Sequence, residues 1–90
     1  MSSTTLPVPR TDLLERPLEE EMALFDVESG VVHTLNPSAT IVWQGLTGSL
    51  DRAQLVAALA EAFGIDDREA ERGVEEALTQ FRRANLVEEE

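Results

Sequence analysis

The stretch Gly30-Val31-Val32-His33-Thr34-Leu35-Asn36-Pro37-Ser38-Ala39-Thr40-Ile41-Val42-Trp43 constrains the fold of this chain more than any other. Glu28-Ser29-Gly30 has turn chemistry, with Gly30 free to take positive φ. Val31 to Leu35 is β-branched and apolar, which predicts a strand. Asn36 then offers a helix cap, and Pro37 stands at the first helical position, where its missing N–H costs nothing. Ala39, Val42, Trp43 and Leu46 recur at helical spacing and predict one buried stripe. A strand that passes through a single cap into a helix leaves little freedom to the chain on either side.

Upstream, Met22 to Val27 is the other arm of a hairpin, although apolar residues on both phases leave its inner face open. Leu13-Leu14-Glu15-Arg16 reads as a further strand ending at Pro17, and Glu19-Glu20-Glu21 as a solvated loop. Downstream, Gly45 and Gly48 read as the end of the first helix. Asp51 with Gln54 caps a second helix whose apolar face is Leu55, Leu59, Ala62 and Phe63, closed by Gly64. Asp66 opens a third, with Ala70, Val74, Ala77, Leu78 and Phe81 as its stripe. Arg82 and Arg83 suit the negative end of its dipole, and Asn85 is its left-handed stop. Leu86-Val87 packs back. The expected fold is therefore α+β and winged-helix-like, a three-stranded antiparallel sheet followed by three helices. It divides into a flexible arm over residues 1–10, one domain over 11–87 and an acidic tail over 88–90.

Composition narrows the function. With 90 residues, 42% hydrophobic and 28% charged, the chain suits one small domain and not an acidic disordered tail. The formal net charge is −11, and every basic residue is an arginine. Such a domain repels phosphate backbones and anionic lipid, which argues against nucleic-acid and membrane partners. There is no cysteine, so thiolate metal sites and disulfides are excluded. No apolar run can span a bilayer and no secretory signal opens the chain, so a cytoplasmic location is expected. His33, the single histidine, reads as a half-buried strand residue. No nucleophile set, phosphate loop or metal-ligand spacing occurs, so no catalytic residue, metal or cofactor is expected. Trp43 falls on the helix stripe and reads as core.

The hairpin with Gly30, then Leu35-Asn36 leading to Ala39 and Val42-Trp43, then Gly48 and two helices, resembles PqqD-like proteins, also called RiPP recognition elements. The likeness covers about Arg10 to Val87. It implies a peptide chaperone that holds the leader of a ribosomally made precursor peptide. It also implies a modifying enzyme as partner, such as a radical SAM enzyme, a leader peptidase or a cyclase. In that family the leader adds as a strand beside the third strand and lies against the third helix. Here those elements correspond to Val31, Val32, His33, Thr34 and Leu35, and to the helix Asp67–Arg83 with Arg68, Glu71, Arg72, Glu75 and Leu78. The family usually carries an aromatic where His33 stands. Arg68 and Arg72 could grip an acidic leader residue, but the ordinary reading pairs them with Glu71, Glu75 or Glu76 on their own helix. Two other classes fit the pattern: a docking subunit that does not itself bind peptide, and a winged-helix DNA reader, which the acidic third helix disfavours.

Overall fold

The computed structural model describes residues 6–89. Its elements are β1 (Val8–Pro9), β2 (Leu13–Leu18), β3 (Glu21–Asp26), β4 (Val31–Leu35), α1 (Pro37–Thr47), α2 (Arg52–Phe63), α3 (Asp67–Arg83) and β5 (Val87–Glu88). The strands β2-β3-β4 form an antiparallel sheet in that order, with β2 and β4 as its edges. The α+β architecture expected from sequence is the one observed.

Local chemistry sets most boundaries. Asn36 Oδ1 accepts the Ala39 N–H at 2.8 Å to start α1. Asp51 and Gln54 form a reciprocal capping box on α2, and the Asp66 side chain accepts the Glu69 N–H at 2.8 Å to start α3. At the far end of α3, Asn85 takes a φ of 62°. The Leu86 N–H reaches back to the Phe81 carbonyl and the Asn85 N–H to the Arg82 carbonyl, which satisfies carbonyls the helix leaves open.

Three expectations change. The strand β2 does not stop at Pro17 but runs to Leu18, and Pro17 faces Met22 across the sheet. A two-residue turn, Glu19-Glu20, joins Leu18 to Glu21, so that pair is hydrogen-bonded and the Pro17–Met22 pair is not. The absent N–H of Pro17 therefore points off the sheet, where an edge strand tolerates it. Glu21, expected in the loop, opens β3. Gly45 lies inside α1 rather than ending it. It is there for space, because a Cβ would collide with the Leu55 side chain of α2.

The arm expected over residues 1–10 lies outside the described residues for its first five. From Leu6 onward the chain is placed, with Val8 and Pro9 paired to Glu88 and Val87 of β5. Glu88 is thus a strand residue, Glu89 accepts a bond from Arg82 at 2.8 Å, and Glu90 lies outside the described residues. Arg10 ties this end together, donating to Asp12 at 2.9 Å, to Asp26 at 3.1 Å and to the Asn85 carbonyl at 2.9 Å.

The helix α1 is the centre of the molecule, touching the sheet on one side and α2 and α3 on the other. Trp43 is fully buried and meets Phe81 of α3 edge-to-face at 5.3 Å. Its indole N–H is not wasted, since Glu15 of β2 accepts it at 3.0 Å. The stripe of α3 is buried as expected, but Phe63 of α2 remains 44% exposed and Ala62 is also exposed, so α2 packs through Leu55 and Leu59.

Candidate functional site

The two edges of the sheet differ in kind. The strand β2 carries Glu15, Arg16 and Pro17, charges and a missing donor that discourage a further strand. Val31-Val32-His33-Thr34-Leu35 of β4 carries no full charge and no proline. Parity from the Leu18–Glu21 turn makes Met22–Leu35, Leu24–His33 and Asp26–Val31 the hydrogen-bonded pairs of β3 and β4. The backbones of His33 and Leu35 are therefore spent on β3, and the Val31 N–H, turned the same way, donates to the Ser29 hydroxyl at 3.3 Å. Val32 and Thr34 direct their N–H and C=O groups to the open edge.

Side chains alternate across the same strand. Met22, Leu24 and Asp26 of β3 point to the helices and are buried, so Val31, His33 and Leu35 opposite them share that face. Leu35 is fully buried, yet Val31 is 45% exposed and His33 half-buried. The helical layer stops short of β4. No Cα of α3 lies within 8 Å of a Cα of β4, and a strip of inner sheet face is left open between them.

The course of α3 along this gap is fixed at both ends. Asn36 and Pro37, just beyond β4, share a cavity with Gly73. At the other end, Arg10 bridges Asp26, beside the start of β4, and Asn85. Residues 73–85 of a helix and its stop cover about 18 Å, and the stretch between the two anchors, from Val31 to Asn36, covers about 17 Å. Strand and half-helix thus run side by side over matching lengths. The row Gly73, Glu76, Gln80, Ala84 follows this side of α3 at helical spacing. Arg72 and Arg83 lie farther out, on the face of α3 away from its buried stripe, around a shallow depression of about 630 Å³ shared with Glu75, Glu76 and Gln80 and lined only by residues of the stretch 72–84.

The residues anticipated from sequence divide accordingly. Val31, Val32, His33 and Thr34 are at the cleft, and Leu35 is under it. Arg72 lies on the outer face of α3. Glu75 shares the depression but is engaged by Arg52 of α2. Arg68 and Glu71 line a different cleft, against Arg52, Ala53 and Val56 of α2. Leu78 is core, 1% exposed. Neither Arg68 nor Arg72 pairs with a carboxylate of its own helix among the described residues, because Glu75 is taken by α2. Glu76, Gln80, Arg83 and Ala84 were not anticipated. Their helical phase was readable, but which face of α3 would front β4 was not.

On the opposite, outer face of the sheet, Leu14, Phe25 and Val32 form one row across the three strands, all exposed. No element among the described residues covers them. No group of three or more potential metal ligands occurs among the described residues, and no helix there is long and apolar enough to cross a membrane.

The sequence matches the family model of PqqD, coenzyme PQQ synthesis protein D, over residues 21–87. No curated protein matches it. Among solved structures, one described as TbiB1 in complex with the TbiA(beta) leader peptide is similar, with a TM-score of 0.80 and 17% sequence identity. The likeness covers 90% of this chain and 94% of that one. At that identity it speaks for the fold alone.

Proposed function

This chain belongs to the PqqD family, and from that premise we propose that it holds the leader of a ribosomally made precursor peptide and presents it to a modifying enzyme. The leader adds as a fourth strand along β4 and fills the gap beside α3. The observation that carries this reading is the open, uncharged edge with Val32 and Thr34 unpaired, facing a gap that matches the strand in length. Main-chain bonds give such a complex affinity without sequence, and the exposed Val31 and His33 offer side-chain contacts. TbiB1, which has the same fold, was solved with a leader peptide. The protein performs no chemistry on the peptide. The reacting groups belong to a partner of the radical SAM, leader-peptidase or cyclase kind, in the cytoplasm where such precursors are made.

Titration calorimetry with candidate leader peptides, followed by mass spectrometry, tests this. Binding with an unchanged peptide mass is expected, and a peptide altered by the purified protein alone refutes it. A second reading, a docking subunit that binds the enzyme and not the peptide, is favoured by the uncovered Leu14–Phe25–Val32 row, since exposed apolar patches mark protein contacts. Under that reading no leader binds until the enzyme is present. A DNA-reading role is disfavoured because the exposed surface of α3 carries Glu69, Glu71, Glu75 and Glu76.

A further inference from the structure

We infer that the leader is also gripped just past its strand, by an apolar groove at the Leu35 end of β4 that takes a large apolar side chain against Phe63 and a Lys or Arg beside Glu19 and Glu20. This rests on the strand-addition reading and adds to it the chemistry of the segment flanking the strand.

Two shallow cavities, of about 380 and 300 Å³, meet at Pro37 and Phe63, which line both. The first begins at Asn36, the residue after β4, and lies between the start of α1 and Gly73, with Leu59 and Ile65 among its walls. The second runs past Ile41 to the turn Glu19-Glu20. That turn and the end of β4 share one end of the sheet, because Met22, two residues past the turn, pairs with Leu35. Phe63 is 44% exposed although it closes the apolar face of α2, and aromatic side chains of this kind are enriched where proteins make contacts. The depressions along α3, beside Arg10 and between α2 and α3 all include arginine. The groove around Phe63 includes none, and its charges are the two glutamates alone. Among the described residues neither glutamate meets an arginine. Glu19 also has a φ of 59°, so the turn holds a carboxylate where a glycine fits the backbone better.

Charge and distance set the occupant. An apolar groove that ends in two carboxylates suits a peptide with an apolar residue and then a cation, and repels one with an acid in that place. Neighbouring strands lie about 4.8 Å apart, so a strand added to β4 stands about 10 Å from β3 and about 14 Å from β2. The turn Glu19-Glu20 joins those two strands. An extended chain advances about 3.3 Å per residue and crosses the end of the sheet to the turn in three or four residues. The apolar anchor therefore falls one or two residues past the strand, and the cation at the third or fourth. The leader itself is the occupant, because the groove opens at Asn36, where a strand along β4 leaves the sheet.

The test needs no knowledge of the natural precursor. A displayed library of random peptides is panned against the full-length protein, and the winners are sorted by whether Val32→Pro abolishes their binding. Edge-dependent winners should carry, on one side of the strand-forming stretch, a large apolar residue followed closely by Lys or Arg. Removing that flank, or changing its apolar residue to Ser, should weaken binding about fivefold or more. Phe63→Ala should match that loss and have no effect on the peptide already cut. Glu19→Gln combined with Glu20→Gln should weaken only the peptides with the basic residue, by about threefold, the size of an exposed charge pair. Glu19→Gly should lower affinity for the same peptides while Tm is kept or raised, which separates the charge from the fold. Edge-dependent winners indifferent to the flank and to Phe63→Ala, or with acids in that place, overturn the inference and leave strand addition standing. Winners that need Phe63 but bind Val32→Pro as well as the parent assign the groove to a separate partner, and overturn it too. Failure of any peptide to bind the folded protein overturns both readings.

Discussion

A proline scan of β4 tests the site at the level of single N–H groups. At Val32 and Thr34 the N–H faces the open edge, so proline removes no bond within the sheet. The loss appears on binding, as one main-chain bond worth about 0.5–1.5 kcal/mol, a factor of about 2–12, with the ring adding a steric obstacle to the incoming strand. At His33 the N–H is directed to β3, opposite Leu24, which is fully buried. Proline there strands a carbonyl, at about 1–3 kcal/mol, and drives its ring toward a neighbouring strand. A fall of about 3 kcal/mol would lower Tm by about 12–24 °C in a domain of this size. Thermal unfolding by circular dichroism and titration against a candidate leader peptide, run on Val31→Pro, Val32→Pro, His33→Pro and Thr34→Pro, separate the two effects. Stability should fall at 31 and 33, and affinity at 32 and 34. The opposite phase, or stability loss at all four with no difference in binding, refutes the register and with it the docking edge.

Three further outcomes are expected. Trp43→Ala should cost about 3–5 kcal/mol in urea unfolding, whereas a near-normal midpoint would contradict its burial against Phe81. Gly45→Ala should destabilise by about 1–3 kcal/mol through the clash with Leu55, and an unchanged Tm would show that α1 and α2 are not so close. The hydrogen bond from Arg10 holds the carboxyl groups of both Asp26 and Asp12 below the usual carboxylate range. Groups shifted down contribute stability that is present above about pH 4 and lost as pH falls through their folded values. Asp26→Asn should therefore flatten the fall in stability below about pH 4, and an unaltered acid profile would remove the Arg10 clamp from the account.

The helices were legible because their signals are local. Asn36, Asp51 and Asp66 each bond a backbone N–H three residues on, and no distant partner is needed to read that. The stripe from Ala70 to Phe81 was legible for the same reason. The pairing of β1 with β5 was not, since two-residue strands containing Pro9 have no periodicity and join opposite ends of the chain. Pro17 misled because its tolerance depends on which way a backbone group points, which the turn at Glu19-Glu20 decides. At the site, the strand side of the cleft was read from β-branched residues alone. The helix side was assigned by element rather than by face. Arg68 and Glu71 turned out to front α2, whereas Glu76, Gln80 and Arg83 share a depression elsewhere on α3.

The contrast between Pro17 on one edge and Val32 on the other also limits what the chain can assemble into. A filament grows when the same head-to-tail contact repeats without closing. Here that contact would join β4 of one copy to β2 of the next. The side of β2 it would use lacks the N–H of Pro17 and carries the charges of Glu15 and Arg16. Growth through β4 is therefore a single event, ended by whatever strand arrives first. An apolar, β-branched edge that would be an aggregation hazard on a symmetric sheet is in this fold a terminus with one vacancy.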